Sequence, residues 1–162
     1  MRVLIAGVGN VLRGDDGFGA EVLRRLEQEI SGAAGVRFFE SGIAGIGLVQ
    51  QLLDGFDALI VLDALDRGAE PGTVFVLEPD VKRGAASSRA DEGVDLHQTD
   101  PEGVFRLAAA LGVLPPRVWV VGCQAAACDG LGAGLTEPVR RAVPAAVRRV
   151  HDLLARLQTA AG

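Results

Sequence analysis

Two cysteines, Cys123 and Cys128, are too few and too close for a disulfide framework, and no second pair completes a structural zinc site. They read as small buried thiols of a cytoplasmic protein. No apolar run is long enough to span a membrane, and Val3–Ala6 is too short for the apolar region of a signal peptide. Basic residues are in deficit. The net charge of −5 argues against nucleic acid, and against an anionic membrane surface, as partners. The usual equipment of proteases is missing too: there is no HExxH helix, and no serine or cysteine nucleophile with an evident paired base.

What is present is enough for a full core. With 162 residues, 49% of them apolar, the chain is expected to form a single domain over residues 1–162, with nothing demanding more than a monomer. Five short apolar runs predict strands: Arg2–Ala6, Val36–Glu40, Ala58–Leu62, Thr73–Leu77 and Arg117–Val121. Most are continuous rather than alternating, as in strands buried on both faces. Helical periodicity fills the first two gaps, with Val22, Leu23, Leu26 and Ile30 on one face and Leu48, Val49, Leu52 and Leu53 on the next. Strand and helix thus alternate as in a doubly wound sheet. Only Ala64 to Gly72 separates the third strand from the fourth, too little for a parallel crossover, so the fourth should run antiparallel. The expected fold is a three-layer α/β/α sandwich on a mixed, mostly parallel, five-stranded twisted sheet.

Residues Val81 to Asp95 lack periodicity and read as an exposed, mobile loop. Asp100 and Pro101 then look like the cap and first residue of a helix that buries Val104, Leu107, Ala108 and Leu111. A last helix starts near Thr136, with Val139, Val143, Val147, Val150, Leu154 and Leu157 on one stripe. Pro144 should kink or restart it.

The first strand runs into Gly7-Val8-Gly9-Asn10-Val11-Leu12-Arg13-Gly14-Asp15-Asp16-Gly17-Phe18-Gly19. A dinucleotide fingerprint would need glycine at Leu12. A phosphate cradle would not hold two adjacent carboxylates, which at about 4 Å repel by roughly 1 kcal/mol in water and several-fold more near a protein surface. A divalent metal, or a cationic or carbonyl-bearing substrate, relieves that repulsion. The loop therefore suits a metal or a peptide.

Ligands of open α/β sheets bind beyond the carboxyl ends of the strands. Asp15 and Asp16 follow the first strand, Glu40 closes the second and Asp63 the third, while His97 enters from the long loop. Each has a plain alternative. One of the aspartate pair should cap the first helix, leaving the other for function; Asp63 could cap a turn, and His97 alone would be a surface histidine. His151, inside the last amphipathic helix, reads as structural. Together, Asp16, Asp63 and His97 form a ligand set suited to zinc, nickel or iron with open positions.

Across nearly its whole length the chain resembles the maturation endopeptidases of nickel-containing hydrogenases. The resemblance rests on the Gly7–Gly19 segment, Val61-Leu62-Asp63-Ala64, Leu96-His97-Gln98, Gly122-Cys123-Gln124 and the stretch from Gly132 through Val139. It implies that Asp16, Asp63 and His97 bind metal; Asp15, Glu40 and Asn10 are secondary candidates on the reading of the residues alone. It also implies the reaction: removal of a short C-terminal extension from the precursor of a nickel–iron hydrogenase large subunit. Removal would follow nickel insertion, with the substrate's own nickel as the recognition signal. The chain departs from the family's pattern in three places. Asp16 stands where relatives often have glutamate, a shorter arm of the same ligand type. Glu40-Ser41-Gly42 replaces an Asp-Gly-Gly segment, and an alanine-rich stretch follows Cys123.

Two mechanisms fit these residues. In one, metal at Asp16, Asp63 and His97 polarises the scissile carbonyl or acidifies a water. In the other, substrate nickel only positions the peptide, and a carboxylate such as Asp15 or Glu40 activates water. The competing readings are a nickel-binding sensor or chaperone without peptidase activity, and a degenerate dinucleotide-binding domain.

Overall fold

β1 (Val3–Val8) and β3 (Ala58–Leu65) are apolar on both faces, and a strand of that kind is stable only when helices cover both sides of it. They pair in parallel at the centre of a five-stranded sheet ordered β2-β1-β3-β5-β4. β2 (Val36–Gly42) and β4 (Val74–Leu77) are the half-buried edges, and β5 (Arg117–Gln124) lies between β3 and β4. β4 runs antiparallel to β5 and every other pairing is parallel, as the short connection after β3 requires. The computed structural model describes residues 1–43, 45–79, 101–126, 132 and 134–160. The expected loop at Val81–Asp95, His97, the Asp100 cap and Cys128 lie outside the described residues.

Side chains alternate across the sheet and divide the core in two. On one face Ile5, Ile60 and Leu62 meet α1 (Phe18–Ile30) and α4 (Glu137–Thr159). On the other, Leu4, Leu59 and Val61 meet α2 (Gly45–Leu52) and α3 (Pro101–Ala110). The three-layer α/β/α arrangement is therefore the observed one.

Three details differ from the periodicity. α3 buries Phe105 and Ala108, while Leu111 falls beyond its end and stays exposed; the ring offers more area to bury than either neighbouring leucine position. Leu53 likewise lies past the end of α2, in solvent. Pro144 does not restart α4, which runs unbroken from Glu137 to Thr159. Val143, Ala146 and Val147 are buried on either side of it, and that burial offsets the roughly 3 kcal/mol a mid-helix proline costs.

The first turn of α1 lies directly on the strands. A Cβ at Gly19 would come within 2.3 Å of the Leu62 carbonyl oxygen and 2.5 Å of that of Val8. A Cβ at Gly7 would meet the Gly19 carbonyl oxygen at 2.8 Å. These glycines let a helix start touch two parallel strands at their carboxyl ends. Gly19→Ala is expected to lower stability by about 3 kcal/mol through overpacking; a urea midpoint equal to wild type would show that the contact can relax.

Candidate active site

The sheet order reverses between β1 and β3: the chain leaves β1 towards β2, then returns to place β3 on the other side. A crevice opens at such a point beyond the strand ends. The loop after β1 and the end of β3 lie at this point of the sheet. The tight turn Gly14–Gly17, which carries both aspartates, packs against β3.

Neither aspartate caps α1. The cap position is Gly17, without a side-chain bond, and the pair has been divided differently. Asp15 is fully buried. Its Oδ1 accepts the Thr136 N–H at 2.7 Å, while Oδ2 accepts the Ala126 N–H at 2.8 Å and the Thr136 hydroxyl at 2.9 Å. A buried carboxylate needs such donors to remain ionised. Asp15 thereby ties the β1 loop to the end of β5 and the start of α4. Thr136 stands at the cap position of α4 but makes no capping bond there, its hydroxyl being committed to Asp15.

Asp16 is half-buried at the lip, and its Oδ2 accepts the Asn10 N–H at 2.7 Å. Its other oxygen accepts no hydrogen bond among the described residues, so one oxygen is fixed within the turn and the other is not. Asn10 also shapes the turn: its Oδ1 accepts the Leu12 N–H at 2.9 Å and its carbonyl the Arg13 N–H at 3.0 Å, an Asx-turn. Gly9, with φ of +114°, permits this path, since a Cβ there would lie 2.0 Å from the Asp16 carbonyl oxygen.

Asp63 is 7% exposed, within β3 rather than at its end, in register with Gly122 of β5. Val61 packs on the α2 and α3 side, so alternation puts Asp63 on that face, above Val61. Glu40 is exposed on the edge strand β2, opposite Gly7. Phe38 packs on the α1 face and Phe39 on the α2 face, so Glu40 is turned towards α1, away from the face of Asp63. The turn that carries Asp16 packs against β3, the strand of Asp63, while Glu40 is turned to the other face of the sheet. Among the described residues no three His, Cys, Asp or Glu side chains converge as a metal site; His97 lies outside them.

Cys123, buried in β5, is no nucleophile. Burial, and then the charge of Asp15, push its thiol from 9.0 up to about 11, so it stays protonated at neutral pH. His151 joins α4 to α1 through Glu29 at 3.0 Å, a structural role as its helix position suggests.

Gln124 was not visible as an organising residue in the sequence. Buried at the end of β5, it accepts the Arg67 and Ala69 N–H groups on Oε1 and donates from Nε2 to Asp66 Oδ1 at 3.2 Å. This bond, and then the Gly68 N–H, hold the Asp66 carboxyl below the usual range. The loop leaving β3 is thereby pinned beside Asp63. The one signal was a glutamine ending an otherwise apolar strand.

A family model described as hydrogenase maturation protease matches residues 20–153. The hydrogenase expression/formation protein HupD of Rhizobium leguminosarum bv. viciae is 36% identical over 153 residues, covering 94% of this chain and 74% of that protein. HoxM of Azotobacter vinelandii, described in the same words, is 37% identical over 95% of this chain and 72% of its own length. Among solved structures, the hydrogenase maturating endopeptidase HybD from E. coli superposes with a TM-score of 0.79 at 26% identity, covering 96% of this chain and 93% of that one.

Two outcomes test these assignments. Asp15→Asn sets an NH2 group against N–H donors and should lower stability by about 2 kcal/mol; an unchanged urea midpoint would remove the anchoring role. The raised Cys123 pKa predicts that the stability it contributes is fully present below pH 9 and lost as pH rises towards 11, because the unfolded chain gives up the proton first. Cys123→Ala should flatten that alkaline loss in urea titrations, and an identical slope in both proteins would refute the linkage.

Proposed function

This chain belongs to the hydrogenase maturation proteases, and from that membership we propose that it removes the C-terminal extension of a nickel–iron hydrogenase large-subunit precursor after nickel insertion, with Asp16, Asp63 and His97 recognising the substrate's nickel. Peptidase activity is the family's, and it sets aside the non-catalytic sensor reading. The loop's sequence and the family together leave no support for a dinucleotide site.

The observation that carries the residue assignment is the division of labour between the two adjacent aspartates. Asp15 is consumed by the fold, while Asp16 has one oxygen held by the Asn10 N–H and the other uncommitted, on a turn that packs against the strand of Asp63. Carboxylate oxygens are ligands that nickel accepts, and the ion carried by the precursor is taken to bind between Asp16 and Asp63. Aspartate at position 16 in place of glutamate shortens the reach without changing the donor atom.

Of the two mechanisms, the geometry favours hydrolysis at the metal-holding residues themselves. Asp15 is saturated with donors, and Glu40 faces the other side of the sheet edge, so neither is well placed to activate water above Asp63. With the precursor's nickel held by Asp16, Asp63 and His97, the adjacent scissile carbonyl is polarised. Water adds to the carbonyl carbon, the C–N bond breaks, and the departing amine takes up the proton that the water released. Such a site cleaves only nickel-loaded precursor, because without the ion the acidic lip has nothing to hold.

Among the described residues no helix is long and apolar enough to cross a membrane. Cytoplasmic location and a monomeric state complete the proposal.

His97→Ala, Asp63→Asn and Asp16→Asn should each abolish the mass loss of nickel-loaded precursor while keeping wild-type circular dichroism. Normal cleavage by any one of them would take that residue out of the site. Glu40→Gln should retain at least half of the wild-type rate; a fall of about a hundredfold would restore Glu40 as the base.

A further inference from the structure

Eight large apolar side chains are substantially exposed among the described residues, and half of them gather at one end of the sheet. Val11 and Leu12 are 53% and 61% exposed on the turn after β1, and Ile43 and Ile46 are 60% and 43% exposed where β2 leads into α2. The two segments leave from the same corner. Val8 is in register with Gly42, and the Gly9 N–H donates to the Gly42 carbonyl at 3.1 Å. Concentrated exposed apolar surface of this kind marks a contact site, whereas scattered single residues do not.

We propose that Val11, Leu12, Ile43 and Ile46 form the docking surface for the polypeptide substrate, taking the apolar residues of the precursor that flank the scissile bond. The inference rests on the processing role proposed above and names the part of the enzyme that recognises chain rather than metal.

Three observations commit the surface to this occupant. The first is continuity: Val11 and Leu12 belong to the same turn as Asp16, so a chain whose nickel reaches Asp16 must pass over them. A second copy of this protein seated there would close the lip that the substrate needs. The second is rigidity. Asn10 Oδ1 holds the Leu12 N–H, and the Leu12 carbonyl accepts the Gly132 N–H at 2.9 Å. A braced turn presents its apolar side chains with little entropy left to lose on binding. The third is charge. Asp16, on the turn of Val11 and Leu12, sets negative charge beside them, which suits a metal-bearing polypeptide and repels an anionic lipid surface.

The test uses the whole protein and full-length nickel-loaded large-subunit precursor. The double variant L12S/I43S is compared with wild type and with L53S/L111S, which removes two equally exposed leucines at the opposite end of the sheet. These positions are in solvent, so all three proteins should melt alike. The expected result is a KM raised about tenfold for L12S/I43S, with kcat within twofold of wild type and L53S/L111S unchanged. A KM equal to wild type in L12S/I43S, or an equal rise in L53S/L111S, overturns the docking surface. Should wild type leave the precursor uncut, the processing role fails instead, and direct binding of the intact precursor decides the present point. Weaker binding by L12S/I43S alone sustains the surface, and equal binding by all three refutes it.

Discussion

Asp15 is the ionisable group on which the arrangement of the crevice depends. A carboxylate taken wholly out of water is tolerated only where donors replace its hydration, and here the donors come from Ala126 and Thr136, more than a hundred positions along the chain. Because those donors belong to the end of β5 and the start of α4, satisfying one charge fixes two strand ends and a helix start at once. Burial, and then the same charge, raise the pKa of the neighbouring Cys123 thiol. The β1 turn is consequently not a surface loop free to adapt. It is bolted from below, and Asp16, the next residue, inherits a fixed position.

On that base the site combines elements with opposite demands. Gly7, Gly9 and Gly19 let backbone approach backbone, so that the turn can lie on β1 and β3. Asn10 folds the turn over and steadies one oxygen of Asp16. Gln124 fastens the loop on the far side of Asp63. What emerges is Asp16 on a braced turn that packs against the strand of Asp63, beside large apolar side chains exposed to water. Neither feature stabilises the protein alone. Both are accounted for together by the proposed role, in which the substrate of a hydrogenase maturation protease brings a cation and a segment of chain to the same place.

Much of this was legible in the residues. Continuous apolar runs identified β1, β3 and β5 as buried strands, and the nine residues from Ala64 to Gly72 dictated the antiparallel β4. These inferences hold because they depend on local chemistry and chain length. The face of α3 was less legible, since Phe105 displaced the leucine stripe through its larger buried area. Pro144 does not restart the helix, because packing on both sides of it outweighs the local cost. The adjacent aspartates misled most. Either could cap a helix by its sequence position, and nothing near them announces Thr136 or Ala126 as partners.

The sequence by itself determined the layered α/β/α fold, the antiparallel fourth strand and the set of acidic residues that collect at the carboxyl ends of the strands, because periodicity, loop length and residue type are local properties. Only the tertiary structure decided which aspartate holds the molecule together and which is left at the lip, that Glu40 turns away from Asp63, and that four apolar side chains share one corner. Those distinctions depend on which distant donors and surfaces arrive beside each side chain, and that is settled when the sheet closes its order and the helices pack upon it.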